Sequence, residues 1–404
     1  MSDAKSYDVV VAGAGVAGCA AAEAAARQGA RVALVEKQCL LGGLATSGMI
    51  DVYLPLCDGY GHETAAGLAW EMMKRSVEYG PFSTPPGWRG VTEGDPGIRG
   101  QRFRCRFSAG GFELSLDKML EEAGVDLWLD TRVVGVAKEG RRIVSLDVAN
   151  DSGIVKVQGK CFVDASGGAY LVQFAGGKVG HDENFMAAWW LDVAEHPEKH
   201  LITERVNMAR LGRLTPEFSF GECRDGRDVT RFVRKAWAML RDVYDALPEA
   251  ERKKNYPLQL PSMPQLRKIA RIDAMYNLSD ADQGGHFDDS VGVVSDWRHA
   301  GPVWETPYRS LVPREVRGVL AAGRCMGTAG LAWEIYRVIP AAAVTGEAAG
   351  MAAALAAAKG GDPAELPVGE LRAKLLAAGC VVDAKPEFGV DPGSSGKTEV
   401  YSEN

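Results

Sequence analysis

The stretch that most constrains this chain runs from Tyr7 to Glu36, YDVVVAGAGVAGCAAAEAAARQGARVALVE. Tyr7 to Ala12 is a short apolar run rich in β-branched residues, the pattern of a parallel strand buried on both faces. Gly13, Gly15 and Gly18 follow in G-x-G-x-x-G spacing. The alanine-rich run from Val16 to Gln28 predicts a helix that Gly29 can end. Arg31 to Val35 reads as a second buried strand, closed by the acid Glu36. Gly13 permits a tight turn, Gly15 lets backbone approach a pyrophosphate, and Gly18 lets helix and strand pack closely. The helix start, with Val16 and Ala17 in its first turn, offers free N–H groups and a positive dipole end to phosphates. Glu36 falls where a carboxylate can bind the ribose hydroxyls of an adenosine.

Three spaced glycines alone carry little, since 48 of the 404 residues are glycine. In the full strand–turn–helix–strand–acid context they predict a dinucleotide site rather than a merely structural βαβ turn. The terminal acid would repel a 2′-phosphate, which disfavours NADP and leaves FAD and NAD open.

A chain of this length exceeds one ordinary core, so two lobes are expected. Its 46 Lys+Arg against 53 Asp+Glu give a formal charge of -7, which argues against a nucleic-acid partner. The eight cysteines show no C-x-x-C spacing, so neither a zinc knuckle nor a dithiol motif is written, and no metal is expected. Scattered in this way they read as reduced thiols. The start, MSDAKS, does not read as a signal peptide, and no apolar run reads as a membrane span. The expectation is a cytoplasmic protein with no membrane partner; self-association stays open.

Amphipathic helices are predicted over 62–79 and 112–123. His62 would sit at the start of the first, as a cap or a proton donor. Between them the Pro/Gly density of 81–100 predicts a loop. Strands are predicted over 125–129, 133–138, 143–148, 154–157 and 161–164, the middle ones forming an antiparallel meander. From Tyr170 to about Pro307 tryptophans and arginines mark a separate lobe, with a basic helix over 229–247 and an extended, Pro-rich run over 257–264. A helix over 368–378 and a polar tail from about Pro386 finish the chain.

After Glu36 the chain reads KQCLLGGLATSG. Paired with VVVAGAGVAGCAAA, this resembles the FAD-dependent oxidoreductase family, which typically writes an acid, a few residues, then L-G-G-M-A-T-x-G. Asp130 to Val134, the A-S-G motif at Ala165-Ser166-Gly167, and Leu266 to Ile272 resemble further family segments. So do TPYRSLVP from Thr306, VLAAGRC from Val319, RVIP from Arg337 and TGEAAG from Thr345. The resemblance implies an α/β fold: a Rossmann-like, glutathione-reductase-type FAD-binding domain with a β-meander and an inserted α+β substrate lobe. The FAD domain would take residues 1–55, 110–170 and 315–380, the lobe 56–109 and 171–314, and a tail 381–404. The implied FAD contacts are Gly13, Gly15, Val16, Ala17, Gly18, Glu36, Lys37, Gly42, Gly43, Leu44, Ala45 and Thr46. Further along they are Val133, Val134, Ala165, Ser166, Gly167, Gly323, Arg324, Ile339, Pro340 and Ala341. Pro340 suits the first turn of a helix, whose positive end would favour negative charge on the reduced flavin.

The chain departs from the family at Ala270 and over Leu331 to Tyr336, where bulky aromatics and a carboxylate stand in place of small residues; a reshaped pocket is expected there. Cys39 reads as a packed free thiol rather than a covalent flavin link. There is no second G-x-G-x-x-G in strand–turn–helix context, so electrons are expected to pass directly between FAD and a small organic substrate by hydride transfer at flavin N5. Such a reaction needs an acid or base. The candidates are Glu334, Tyr336, His62 and Tyr308, with Arg337 and Arg309 as charge clamps. The alternatives are a redox-neutral flavin isomerase or lyase, and an FAD-binding RNA-modification or scaffold protein.

Overall fold

The computed structural model describes residues 5–85, 102, 104–182, 185–196, 201–213 and 225–390. The expected loop over 81–100 lies largely outside these residues, as does the tail beyond 390. The core is a sheet built in chain order from β1 (Lys5–Ala12), β2 (Val32–Val35), β3 (Asp126–Trp128), β4 (Arg132–Glu139), β5 (Arg142–Asn150), β6 (Gly153–Asp164) and β7 (Val319–Ala321). Its order is β3-β2-β1-β6-β5-β4, with β7 also on β6. β1 runs parallel to β2 and to β6, with Ala12 opposite Val35 and Asp164. The fold is therefore Rossmann-like α/β.

β6 organises the sheet. Its first half pairs antiparallel with β5, and its last residues, Phe162 to Asp164, pair parallel with β7. The sequence pattern splits this stretch into two strands at Gly159, whereas the backbone runs through unbroken. A Cβ at Gly159 would lie 2.8 Å from Val10 Cγ2, so the glycine permits close strand approach rather than a turn.

Helix α1 (Val16–Arg27) packs on the sheet beside the long helix Ile339–Ala358, which also touches the sheet. α2 (Leu68–Ser76) and α3 (Ala109–Glu122) pack on the same side. α4 (Gly226–Asp245) turns its basic residues outward and buries Phe232, Met239 and Leu240. It leans on an antiparallel ribbon of Phe185–His196 with Leu201–Arg213, extended by Asn255–Gln259. α5 (Gly330–Tyr336), α6 (Ile339–Ala358) and α7 (Val368–Ala377) complete the chain.

α1 and α6 meet backbone to backbone. A Cβ added at Gly346 would sit 2.2 Å from Ala17 O, and one at Gly350 2.0 Å from Ala21 O. Small residues on both helices make this approach possible. α6 corrects the expectation drawn from hydropathy, because it is long and apolar enough to cross a bilayer. Its apolar window is 83% buried inside the protein, so tertiary burial accounts for the composition.

Candidate active site

Glycine-rich turns and the starts of α1 and α6 converge on one cavity of about 420 Å³, a size ordinary for small-ligand sites. Gly13 takes φ +97°, and a Cβ there would lie 2.7 Å from Ala165 O, so the turn accepts only glycine without a backbone shift. Gly15 lines the cavity, and nothing lies within 4 Å of where its Cβ would be. Gly42 N donates to Ala14 O at 2.8 Å, joining the second glycine loop to the first. Gly15 and Val338 occupy the positions just before α1 and α6, and neither supplies a side-chain acceptor to cap its helix. Val16, Ala17, Ile339 and Ala342 line the cavity beside these caps. Two uncapped helix starts in one cavity leave N–H donors for an anionic, extended ligand.

The acid of the opening motif, Glu36, lines the cavity. Glu36 Oε2 accepts from Ala14 N at 2.7 Å and Oε1 from Gln38 N at 3.0 Å. Lys37 beside it is pushed below the usual lysine pKa by burial, with Arg132 and Arg324 acting in the same direction. On the opposite wall Asp164 shapes the A-S-G turn. It accepts from Ser166 Oγ at 2.6 Å, Leu171 N at 2.8 Å and Val172 N at 3.3 Å, and burial still raises its pKa.

The structure brings most of the expected cofactor residues together. Gly13, Gly15, Val16, Ala17, Glu36, Lys37, Gly42, Gly43, Leu44 and Ala45 line the cavity, as do Ala165, Ser166, Gly167, Gly323, Arg324 and Ile339. Others stand behind it. Gly18 packs against Gly13, where a Cβ would meet Gly13 O at 1.8 Å. Thr46 gives its hydroxyl to Leu41 O. Pro340 and Ala341 are buried in the first turn of α6. Val133 lines a smaller adjoining cavity, while Val134 is 40% exposed, as strand alternation requires. The sequence reading missed Gln38, Arg132, Tyr170 and the segment Ser262 to Leu266. That segment is pinned over the glycine loop, with Ser262 N donating to Ser47 O and Gln38 Nε2 to Ser262 O. These contacts span more than two hundred positions, and the Pro-rich extended run was their one local signal.

The acid–base candidates separate sharply. Arg337 lines the cavity, and its Nε holds Glu334 Oε2 at 2.6 Å. Lys268 Nζ reaches Glu334 Oε1 at 2.9 Å. Burial works to raise the Glu334 pKa, but the two cations outweigh it and hold the carboxylate below its ordinary range. Tyr336 does not reach the cavity: it is fully buried, its hydroxyl between Thr306 Oγ1 and Glu305 O, with its pKa driven up by burial. Trp333 is equally buried and gives its indole N–H to Arg324 O. The aromatics of α5 thus turn into the core and do not wall the site.

His62 does not start a helix, because α2 begins at Leu68. Its Nδ1 lies 2.7 Å from the buried Asp58 and its ring stacks on Phe388, away from the cavity lining. Tyr308 gives its hydroxyl to Pro363 O, and Arg309 pairs with Asp289. Cys39 is exposed. Elsewhere His286, Glu305 and Asp383 bring ligand-type atoms within 4.8 Å of one another. Phe287 N, Ala384 N and the Arg372 guanidinium already occupy those carboxylates.

The family model for FAD dependent oxidoreductases matches residues 8–184 and 179–375. The chain belongs to this family. The glycine cradle and its two helix starts fit FAD, the cofactor of the family. The chain is 32% identical over 192 residues to the NADH:fumarate oxidoreductase of Klebsiella pneumoniae (strain 342), a match covering 41% of this chain and 20% of that protein. It is 29% identical over 168 residues to the digeranylgeranylglycerophospholipid reductase of Picrophilus torridus, covering 40% of this chain and 39% of that one. The match thus spans well under half the length of either relative. Among solved structures, a geranylgeranyl bacteriochlorophyll reductase-like protein of Thermoplasma acidophilum is 15% identical. There the match covers 93% of this chain and 84% of that chain, with a TM-score of 0.47.

Proposed function

We propose that the chain transfers a hydride between a small organic substrate and FAD, with residues 56–109 and 171–314 forming the substrate side. The observation carrying this reading is the wall where Arg337, held by Glu334, stands beside the uncapped start of α6 in the cavity that the glycine turns line. FAD, when bound, supplies two-electron chemistry by taking or giving a hydride. The α6 start favours negative charge at that end of the cavity. Arg337 presents a fixed cation there, and Glu334 together with Lys268 fixes its position. Glu334 is held ionised, so it orients Arg337 and does not donate a proton. Both curated relatives carry names that describe redox enzymes, one of them a reductase, which agrees with this reading.

The test is anaerobic. A candidate substrate, or for the reverse direction a reductant followed by the oxidised substrate, should change the bound-flavin absorbance stoichiometrically. Glu334→Gln should retain FAD and slow that change by about tenfold or more, as expected when a cation at a reacting centre loses its orienting partner. A flavin whose absorbance answers only to chemical reductants across a broad panel of small acids, amines, alcohols and alkenes would defeat the proposal.

A further inference from the structure

The segment Ser262 to Leu266 serves two places at once. Ser262, Met263, Pro264 and Leu266 line the cavity, while Gln265 between them does not and is only 3% exposed. Its carboxamide is spent on two other segments. Oε1 accepts from Trp189 N at 2.8 Å, and Nε2 donates to Trp189 O at 3.0 Å and to Gly48 O. Only this orientation of the amide lets all three bonds form, because the partners are one N–H and two carbonyls. Trp189 belongs to the ribbon strand Phe185–His196, and Gly48 ends the glycine-loop run LGGLATSG.

Strand geometry explains why a glutamine stands here. Asn255–Gln259 pairs with Phe185–His196 as far as Leu191 opposite Gln259. Past that point the strand edge at Trp189 presents an N–H and a C=O that need partners. A glutamine carboxamide offers the same donor and acceptor as a peptide group, and Gln265 takes both. Its own backbone is held on either side. Arg267 Nη1 donates to Gln265 O at 3.1 Å, Arg324 Nη1 to Leu266 O at 2.6 Å, and Ser262 N to Ser47 O at 3.0 Å. A buried amide so fixed passes any restriction of its backbone to both partners. The same junction keeps unmatched polar atoms. Ser47 Oγ, in a fully buried residue, and the buried Trp189 Nε1 have no hydrogen-bond partner among the described residues, the mark of a junction that a further group completes.

We infer that Gln265 is a positioning residue that sets the substrate-side ribbon on the cofactor loop, so that FAD in the cavity orders the ribbon through the Ser262 to Leu266 segment. The inference rests on the FAD and substrate-side reading above and adds an order of assembly, cofactor first and substrate side second. The path is short. A ligand against Met263, Pro264 and Leu266 restricts that segment, and the three bonds of Gln265 carry the restriction to Trp189 and Gly48. Binding that suppresses a local opening protects every amide that opens with it.

The experiment is hydrogen–deuterium exchange on the full chain, deflavinated and then with saturating FAD, for the wild type, Gln265→Leu and Gln265→Glu. Leucine keeps the bulk and removes all three bonds. Glutamate keeps the acceptor for Trp189 N and gives up the donations to both carbonyls. Thermal melts of the apo proteins report folding, and either folded variant decides the outcome. In the wild type FAD should slow exchange in the Gly13–Gly18 turn and also in Phe185–His196, the latter by about tenfold or more, as when opening must break several buried hydrogen bonds. In the variants the glycine turn should gain the same protection, while the slowing in the strand should shrink to less than about threefold. A purely structural staple would speed exchange of the strand by one factor with and without FAD and leave the slowing intact. That result overturns the inference. So does a wild-type strand that FAD leaves unprotected, and so does loss of FAD binding by a folded variant. A wild-type glycine turn that gains no protection would instead overturn the FAD reading, so the two failures are told apart by which segment responds.

Discussion

The two ends of the cavity are made of different material. The glycine-turn side is built on backbone: Gly13, Gly15, Gly42 and Gly167 present peptide groups, with the longer side chains of Glu36, Lys37, Arg132 and Arg324 set around them. The Arg337 wall is side chain: Arg337 and Glu334, three residues apart on one segment, form a charged cluster with Lys268 from another. A backbone site needs particular residue types at particular spacings, because only glycine tolerates φ near +97° or an oxygen within 3 Å of its Cβ position. A side-chain site needs only that several residues arrive together, which many sequences can achieve.

That contrast explains what was legible in the sequence. The turns at 13–18, 42–43, 165–167 and 323 were readable because each demands small residues. Paired strands β1 and β2 followed from an apolar run too short for a helix. The start of α2 was not readable. Leu68 N donates to Glu347 Oε2 at 2.8 Å, so the acceptor at that helix start comes from 279 positions away, and Gly67 at φ +62° sets the entry. With no local capping signal, the amphipathic pattern extended back to His62, and that histidine was placed on a helix it does not join. The aromatics of α5 misled for the same reason. Their composition told of bulk, while only the packing shows Trp333 and Tyr336 facing inward.

The largest effect should come from the backbone-built side. Gly350→Val would press a side chain onto Ala21 O, already 2.0 Å from a bare Cβ. α1 and α6 would have to separate, at a cost on the order of 3 kcal/mol in overpacking alone. Urea unfolding should show a lower midpoint with an unchanged slope. An unaltered midpoint would mean that the two helices do not meet as closely as described, and with them the shared cavity would fail.

A smaller effect isolates one buried side chain. Burial pushes the Glu347 carboxyl up to about 7 from an ordinary value of 4.5, partly opposed by the Leu68 amide. The folded protein therefore keeps a proton that the unfolded chain releases at about 4.5. Stability should fall as pH rises from about 4.5 to about 7, by up to roughly 3 kcal/mol, and then level off. Glu347→Gln should remove that fall, so its advantage over the wild type should be greatest above pH 7. Midpoints measured at about pH 5 and pH 8 check this. Parallel pH dependence in the two proteins would show that the carboxyl ionises freely.

The central claim is that the Gly13–Gly18 turn and the start of α1 hold the diphosphate of FAD. It is tested most directly by titrating deflavinated wild type and Gly15→Val with FAD under the same conditions. Gly15 has open space around its Cβ position and a negative φ of -67°, so a valine there can be accommodated without a backbone clash while its methyl groups enter the cavity. Wild-type protein should bind one FAD per chain, and a folded Gly15→Val should bind it about 100-fold or more weakly, as when a bulky group displaces backbone contacts to a charged ligand. Equal affinity in both proteins would place the cofactor somewhere other than this cavity.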